Sequence, residues 1–250
     1  MPFPLAHPAA VLPLRRLCPR YLSFPALLVG SVTPDLSYAF QHWKLEGFAH
    51  QYAGCLGFCL PVGLALMMVF AALRRTLPPL LPEPWRRVTA PWCERPLGNW
   101  VTIACSVLLG ACLHVTWDAF THREGWLVQH WELLEAPLYR RGSRTLRVCH
   151  LLWYLSTFGG VASLLVAGRH GLQRAMQAAG LVPPSLHWWQ VLFLAFLVLP
   201  LGAVHHVFRG RIGYPLTVLL MVLGAGTFLW WHRPRKQDRG EAGGLDRDAT

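Results

Sequence analysis

His114-Val-Thr-Trp-Asp118-Ala-Phe-Thr-His122 sets two imidazoles and a carboxylate at four-residue intervals. On an α-helix, residues four apart face the same way one turn apart, so the segment presents three metal donors along one stripe. The helix expected to carry them, beginning at Trp100, is otherwise almost uncharged. A carboxylate on such a helix is costly unless it is paired, hydrogen-bonded or coordinated. Of the five Asp in the chain, Asp238, Asp246 and Asp248 lie in its polar tail, which leaves Asp118 and Asp35. With two further histidines they make a candidate set of His7, Asp35, His50, His114, Asp118 and His122. Such donors suit Zn²⁺ first, and also Mn²⁺ or Fe²⁺. A structural zinc site would draw on Cys, and none is placed to join. The set therefore points to a catalytic or dinuclear centre open to water, with Asp118 and His114 as its catalytic residues.

A plainer reading stands beside this one. A single His at a helix end is ordinarily an interfacial or hydrogen-bonded residue, as His7 or His50 would be alone. His114 and Asp118 would then be a buried pair holding helices together, and His122 a loop residue.

The positioning elements follow from composition. Mean hydropathy is +0.34 and only 14% of residues are charged, against roughly 25% in soluble domains. The apolar residues come in runs, which indicates an integral membrane protein: all-α, a polytopic helical bundle forming a single domain over residues 1–232. Crossing the hydrocarbon takes about 20 residues. Five runs approach that length, near 52–73, 100–120, 149–167, 188–208 and 214–231, with Trp100, Trp188, Trp189, Trp230 and Trp231 as interfacial anchors. Pro61 and Pro200 are expected to kink their spans. Phe24–Val32 is too short to cross and is read as an N-terminal membrane-proximal helical segment that packs on the bundle. The Pro- and Arg-rich stretch 76–96 reads as a surface loop, and 233–250 as a polar, disordered tail.

Two spans make a hairpin, so His114, Asp118 and His122 return to the membrane face that holds His7, Asp35 and His50. His150, His205 and His206 reach that face as well. Net charge is +11 and 21 of the 23 basic residues are Arg. They are scattered over every loop rather than gathered on one compact face, which fits contact with membrane lipids and not nucleic acid. Counted along five spans, the two sides carry almost equal numbers of Lys and Arg, so charge alone leaves the orientation open. The seven Cys show no CxxC spacing and read as small buried hydrophobes without a disulfide framework. Arg15, Arg16 and Arg20 follow the first apolar stretch, so the N-terminus does not read as a cleavable signal.

Three stretches carry a resemblance: Met1-Pro-Phe-Pro-Leu-Ala-His-Pro-Ala-Ala-Val-Leu-Pro-Leu14, Gly30-Ser-Val-Thr-Pro-Asp35, and His114 to His122 followed by Gly125-Trp126. Together they resemble the bacterial domain-of-unknown-function 4184 membrane family, over most of the chain. More distantly, the order His, Pro-Asp, His some fifteen residues on, then His-x3-Asp is similar to zinc-dependent phospholipase C, its nuclease relatives and inner-membrane metal-dependent hydrolases. That likeness implies one metal on Asp35, His50, His114 and Asp118, and a second on His7 with Asp118 as bridge. Those enzymes also use an N-terminal amine and a further His-x3-Glu. Nothing in the sequence suggests cleavage to expose such an amine, and His130, Glu132 and Glu135 have other spacings, so a mono- or dinuclear site is expected rather than a trinuclear one.

The expected function is a metal-dependent hydrolase at the bacterial inner membrane, acting on a phosphoester of a lipid or lipid-linked substrate. The motif His-Glu-x-x-His of zinc peptidases is absent, and a glycosidase would need two carboxylates free of metal. Arg123, or Arg15 and Arg16, are candidates to hold the phosphate. The alternative is a non-enzymatic membrane protein whose His/Asp cluster is structural or regulatory. A transporter fits poorly, because Asp118 is the sole acidic residue in any expected span.

Overall fold

The computed structural model describes residues 4–18, 20–83, 85–142 and 144–182. The expected spans 188–208 and 214–231, the tail 233–250, His205 and His206 lie outside the described residues.

The chain opens with a 3-10 segment, Pro4–Leu17, whose Pro8 and Pro13 lack the N–H that a longer α-helix would need. Helices α1 (Phe24–Leu36) and α2 (Trp43–Ala49) follow. The long helix α3 (Tyr52–Leu73) contains a widened π turn at Cys55–Cys59. Pro61 has no N–H to give and its ring would strike the carbonyl one turn back, which the widened turn relieves. The expected kink is thus a local widening. After α4 (Trp85–Glu94) come the long helix α5 (Trp100–Thr121) and two short helices, α6 (Trp126–His130) and α7 (Glu132–Glu135). A two-stranded antiparallel hairpin, β1 (Pro137–Arg141) and β2 (Arg144–Arg147), leads into α8 (Val148–Ala178).

Among the described residues, α3, α5 and α8 are long and apolar enough to cross a membrane, which marks the chain as a membrane protein. The first two match the expected spans closely. Helix α8 runs well past the expected end at 167, because Ala175 and Met176 bury themselves against Val88 of α4. The same contact corrects the reading of 76–96 as loop: α4 is an amphipathic helix with Val88 turned inward. The hairpin also qualifies the all-helical expectation. Its turn at Gly142 needs a positive φ, which glycine supplies without strain.

The centre of the fold is the parallel pairing of α1 with α5. Ser23 N–H donates to Ser106 Oγ at 2.9 Å, and His114 Nδ1 donates to the Ser31 carbonyl at 2.8 Å, both across the same separation of 83 residues. The helices come this close because Gly30 and Gly110 face each other's backbones. A Cβ on Gly30 would overlap the Val107 carbonyl, and one on Gly110 would overlap Leu27 and Ser31. Such small-residue approaches substitute for hydrophobic drive inside a membrane. Helix α3 runs antiparallel to α5, packing Cys55 and Cys59 near Ala111 and Val115, and Met67 near Ile103 and Val107.

Candidate metal centre

The six donors arrive on four elements. Asp35 sits in the last turn of α1, beside Pro34, which ends regular helix pairing there. His50 caps the C-terminus of α2, and its Nδ1 donates to the Glu46 carbonyl at 2.8 Å. His114 and Asp118 lie one turn apart on α5, and His122 caps that helix. His7 comes from the 3-10 segment and stacks on His114, ring centroids 3.6 Å apart. The six residues named from the sequence are therefore brought together.

Asp118 is the hub. Its Oδ2 lies 3.3 Å from His114 Nε2 and 3.9 Å from His50 Nε2, while its Oδ1 lies 3.7 Å from His7 Nε2 and 3.4 Å from His122 Nδ1. Asp35 Oδ1 lies 3.5 Å from His50 Nε2 and 3.8 Å from His114 Nε2. These spacings are too long for good hydrogen bonds. They match donors around an ion instead: two atoms each 2.0–2.1 Å from a metal at the tetrahedral angle stand roughly 3.4 Å apart.

The unmet bonding capacity agrees. Both oxygens of Asp35, Asp118 Oδ1, His114 Nε2, both nitrogens of His7 and His122 Nε2 are buried and find no hydrogen-bond partner among the described residues. Two buried carboxylates without a cation or donors would be strongly destabilising. Buried His/Asp groups of this kind can bind a metal, and two triads qualify by distance: His7, His114 and Asp118, and Asp35, His50 and His114. His114 has only one free nitrogen, since Ser31 holds Nδ1. It can serve one ion, so the two triads share that nitrogen and are alternative settings for an ion beside it rather than two independent sites. Asp118 Oδ1 faces away toward His7 and His122.

Protonation suits ligation. Burial, reinforced by His114, lowers the His7 imidazole to about 4, so it is neutral with a lone pair available. Burial pushes the Asp35 carboxyl up, but His114, His50 and His7 together hold it below its ordinary value. Tyr38, whose hydroxyl is 3.5 Å from His50 Nε2, is held protonated by burial and by the Asp35 and Asp118 charges.

Other sequence candidates lie elsewhere. His150 Nδ1 accepts the Arg147 N–H at the start of α8, and His130 bonds the Trp126 carbonyl. Arg123 pairs with Glu135 at 3.7 Å. Arg15 stands over the Phe24 ring at the start of α1, the end opposite Asp35, which removes it and its neighbour Arg16 as phosphate holders at this site. Sequence reading missed the Ser31 and Glu46 carbonyls, because any residue type can supply a carbonyl. Gly30 and Gly110 did leave a signal, in small residues four apart at Ala26/Gly30 and Ser106/Gly110.

Beside His7 a cavity of about 600 Å³ runs between the 3-10 segment, α5 and α8, lined by Ala10, Trp117, Phe120, Leu152, Leu155 and Gly159 among others.

A family model described as a domain of unknown function (DUF4184) matches residues 1–232. No curated protein and no solved structure matches the chain.

Proposed function

The chain belongs to the DUF4184 family, and from that starting point we propose that it is a membrane-embedded, metal-dependent hydrolase of a phosphoester in a lipid or lipid-linked substrate. The observation that carries the reading is the buried, unsatisfied donor set gathered on Asp118.

Asp35, His50, His114 and Asp118 would hold one divalent ion, zinc by its donor chemistry. His7 and His122 with the second oxygen of Asp118 would hold another. An ion held by these residues would supply a lowered pKa for water and a positive charge to offset the phosphoryl oxygens. The chain's own contribution is orientation and charge. The Ser31 and Glu46 carbonyls fix His114 and His50 as Nδ1–H tautomers, which turns both Nε2 atoms toward the centre. Asp35 and Asp118 supply the negative charge that a cation offsets, and neutral His7 adds a donor without repelling it. His50 and His122 are the more exposed members and mark the side from which a headgroup enters. The apolar cavity next to His7 supports a lipid substrate, being of a size usual for ligand sites.

The test uses purified full-length chain in detergent. Metal analysis should find a divalent ion, lost in Asp118→Ala. Protein loaded with Zn²⁺ or Mn²⁺ should turn over at least one member of a panel of phospholipids and lipid-linked phosphates. Stoichiometric metal with no turnover of any would favour a non-enzymatic role for the cluster.

A further inference from the structure

We propose that the arginine-rich end of the bundle docks on the anionic headgroups of the cytoplasmic leaflet, so that the His/Asp cluster works at the opposite leaflet, on lipid headgroups that face out of the cytoplasm. The substrate half of this statement rests on the hydrolase reading above; the orientation does not.

Along the sequence the basic residues look balanced only if Arg15, Arg16 and Arg20 are placed on the side of His7 and Asp35. The structure separates them. His7 lies beside Asp118, near the C-terminal end of α5. The 3-10 segment then runs away from the cluster until the Arg15 guanidinium sits 5.6 Å above the Phe24 ring. Next to Phe24, Ser23 bonds Ser106, early in α5. Ser106 and Asp118 are three helical turns apart, about 18 Å at 1.5 Å per residue. From there α1 returns to the cluster. The N-terminal arm is thus a re-entrant loop that delivers its arginines to the far end.

That end already holds other arginines. Arg74 and Arg75 follow α3, and the Arg74 guanidinium bonds the Arg95 carbonyl just past α4. Arg86 and Arg87 lie on α4, both paired with Glu83 at 3.0 and 3.2 Å, and the helix buries Val88 on the tail of α8, where Arg169 and Arg174 lie. Trp92 and Trp100 are exposed around the same end, as interfacial anchors are. Glu83 and Glu94 are the only described acidic residues there. Among the described residues, the cluster end has fewer basic ones: Lys44, Arg123, Arg140, Arg141, Arg144 and Arg147. Glu46, Glu124, Glu132 and Glu135 are interleaved with them, and Glu135 engages both Arg123 and Arg147. Arginine near a membrane is retained on the cytoplasmic side, where anionic lipid attracts it and the membrane potential opposes its translocation. Once the re-entrant arm is placed, that rule decides the orientation.

The experiment inserts a short epitope after Gly142, at the hairpin tip, or after Leu81, at the opposite end, in the full chain expressed in a bacterial host. A cooperative thermal unfolding transition of the purified tagged proteins in detergent reports that each one folds. Antibody should reach the Gly142 epitope on intact spheroplasts, and the Leu81 epitope only in inside-out vesicles. The reverse pattern, or both epitopes on one side, would overturn the proposal. The charge argument is tested by the variant R15Q/R16Q/R75Q/R86Q/R87Q carrying the Gly142 epitope. It should appear in both orientations, and a single unchanged orientation would show that these arginines do not hold the protein in place. Neither readout depends on hydrolysis, so a protein that is oriented as proposed yet inactive refutes only the reading of the cluster as an enzyme.

Discussion

His114 and Ser31 meet across 83 residues through one hydrogen bond, 2.8 Å from the imidazole Nδ1 to the main-chain carbonyl. The bond makes His114 an Nδ1–H tautomer and aims its other nitrogen between Asp35 and Asp118, at 3.8 and 3.3 Å. Two helices that are distant in sequence therefore bring their donors into one cluster that could hold a metal.

Ligand removal should follow this geometry. His114→Ala and Asp118→Ala should each lower the metal content of purified protein at least tenfold, since each removes a donor at the shared centre. His130→Ala and His150→Ala should leave it unchanged, because both rings are engaged outside the cluster. Elemental analysis after dialysis checks this, and equal metal in wild type and Asp118→Ala would remove the cage from consideration.

Gly30→Ala should cost at least 1–3 kcal/mol of stability, the usual range for overpacking, because its Cβ meets the Val107 backbone and not a movable side chain. Metal should be lost with it, since Ser31 and Asp35 move as α1 is pushed off α5. Gly159→Ala is the control: nothing lies within 4 Å of its Cβ, so the substitution should be neutral or slightly stabilising. Thermal unfolding in detergent separates the two.

Acid should weaken the metal-free protein through His7. Its ordinary value is 6.5 and its folded value about 4, so between these pH values the unfolded chain binds the proton and the native chain does not. Stability contributed by this group is full above pH 6.5 and falls as pH drops toward 4, by up to about 3 kcal/mol. His7→Gln should flatten the melting temperature of chelator-treated protein across that window. An unchanged slope would mean that His7 is not the buried neutral group.

Gly159→Phe should fill the cavity beside His7 without striking the backbone, since the space around that glycine is open. Turnover of long-chain lipid substrates should fall while bound metal stays constant. Water-soluble short-chain phosphoesters should be hydrolysed as before. Loss of both activities together would place the cavity outside the lipid path.

The sequence revealed the donors better than their surroundings. His114, Asp118 and His122 could be read from four-residue spacing, because helix periodicity alone puts them on one stripe. The arrival of His7 and Asp35 depended on a hairpin argument about membrane faces, which the structure matches in outcome though not in detail. Arg15 and Arg16 show the difference. Reading them with His7 assumed that the N-terminal arm stays on one side, whereas it runs to the far end and returns. Helix α4 escaped notice because Pro91 and five nearby charges hid a single inward-facing Val88. The carbonyls of Ser31 and Glu46 leave no mark in side-chain identity at all.

The pairing of α1 with α5 also sets an order of events in time. Asp35 and Ser31 are synthesised long before Asp118 and His114, and their partners are 83 residues further along the chain. At 5–20 residues per second, that gap lasts roughly 4 to 17 s. Throughout it the N-terminal arm holds a carboxylate with no cage to complete, beside a membrane that excludes it. Closure of the site is therefore a late step of biogenesis, and a nascent chain halted before Asp118 should capture no metal, however much of the arm has emerged.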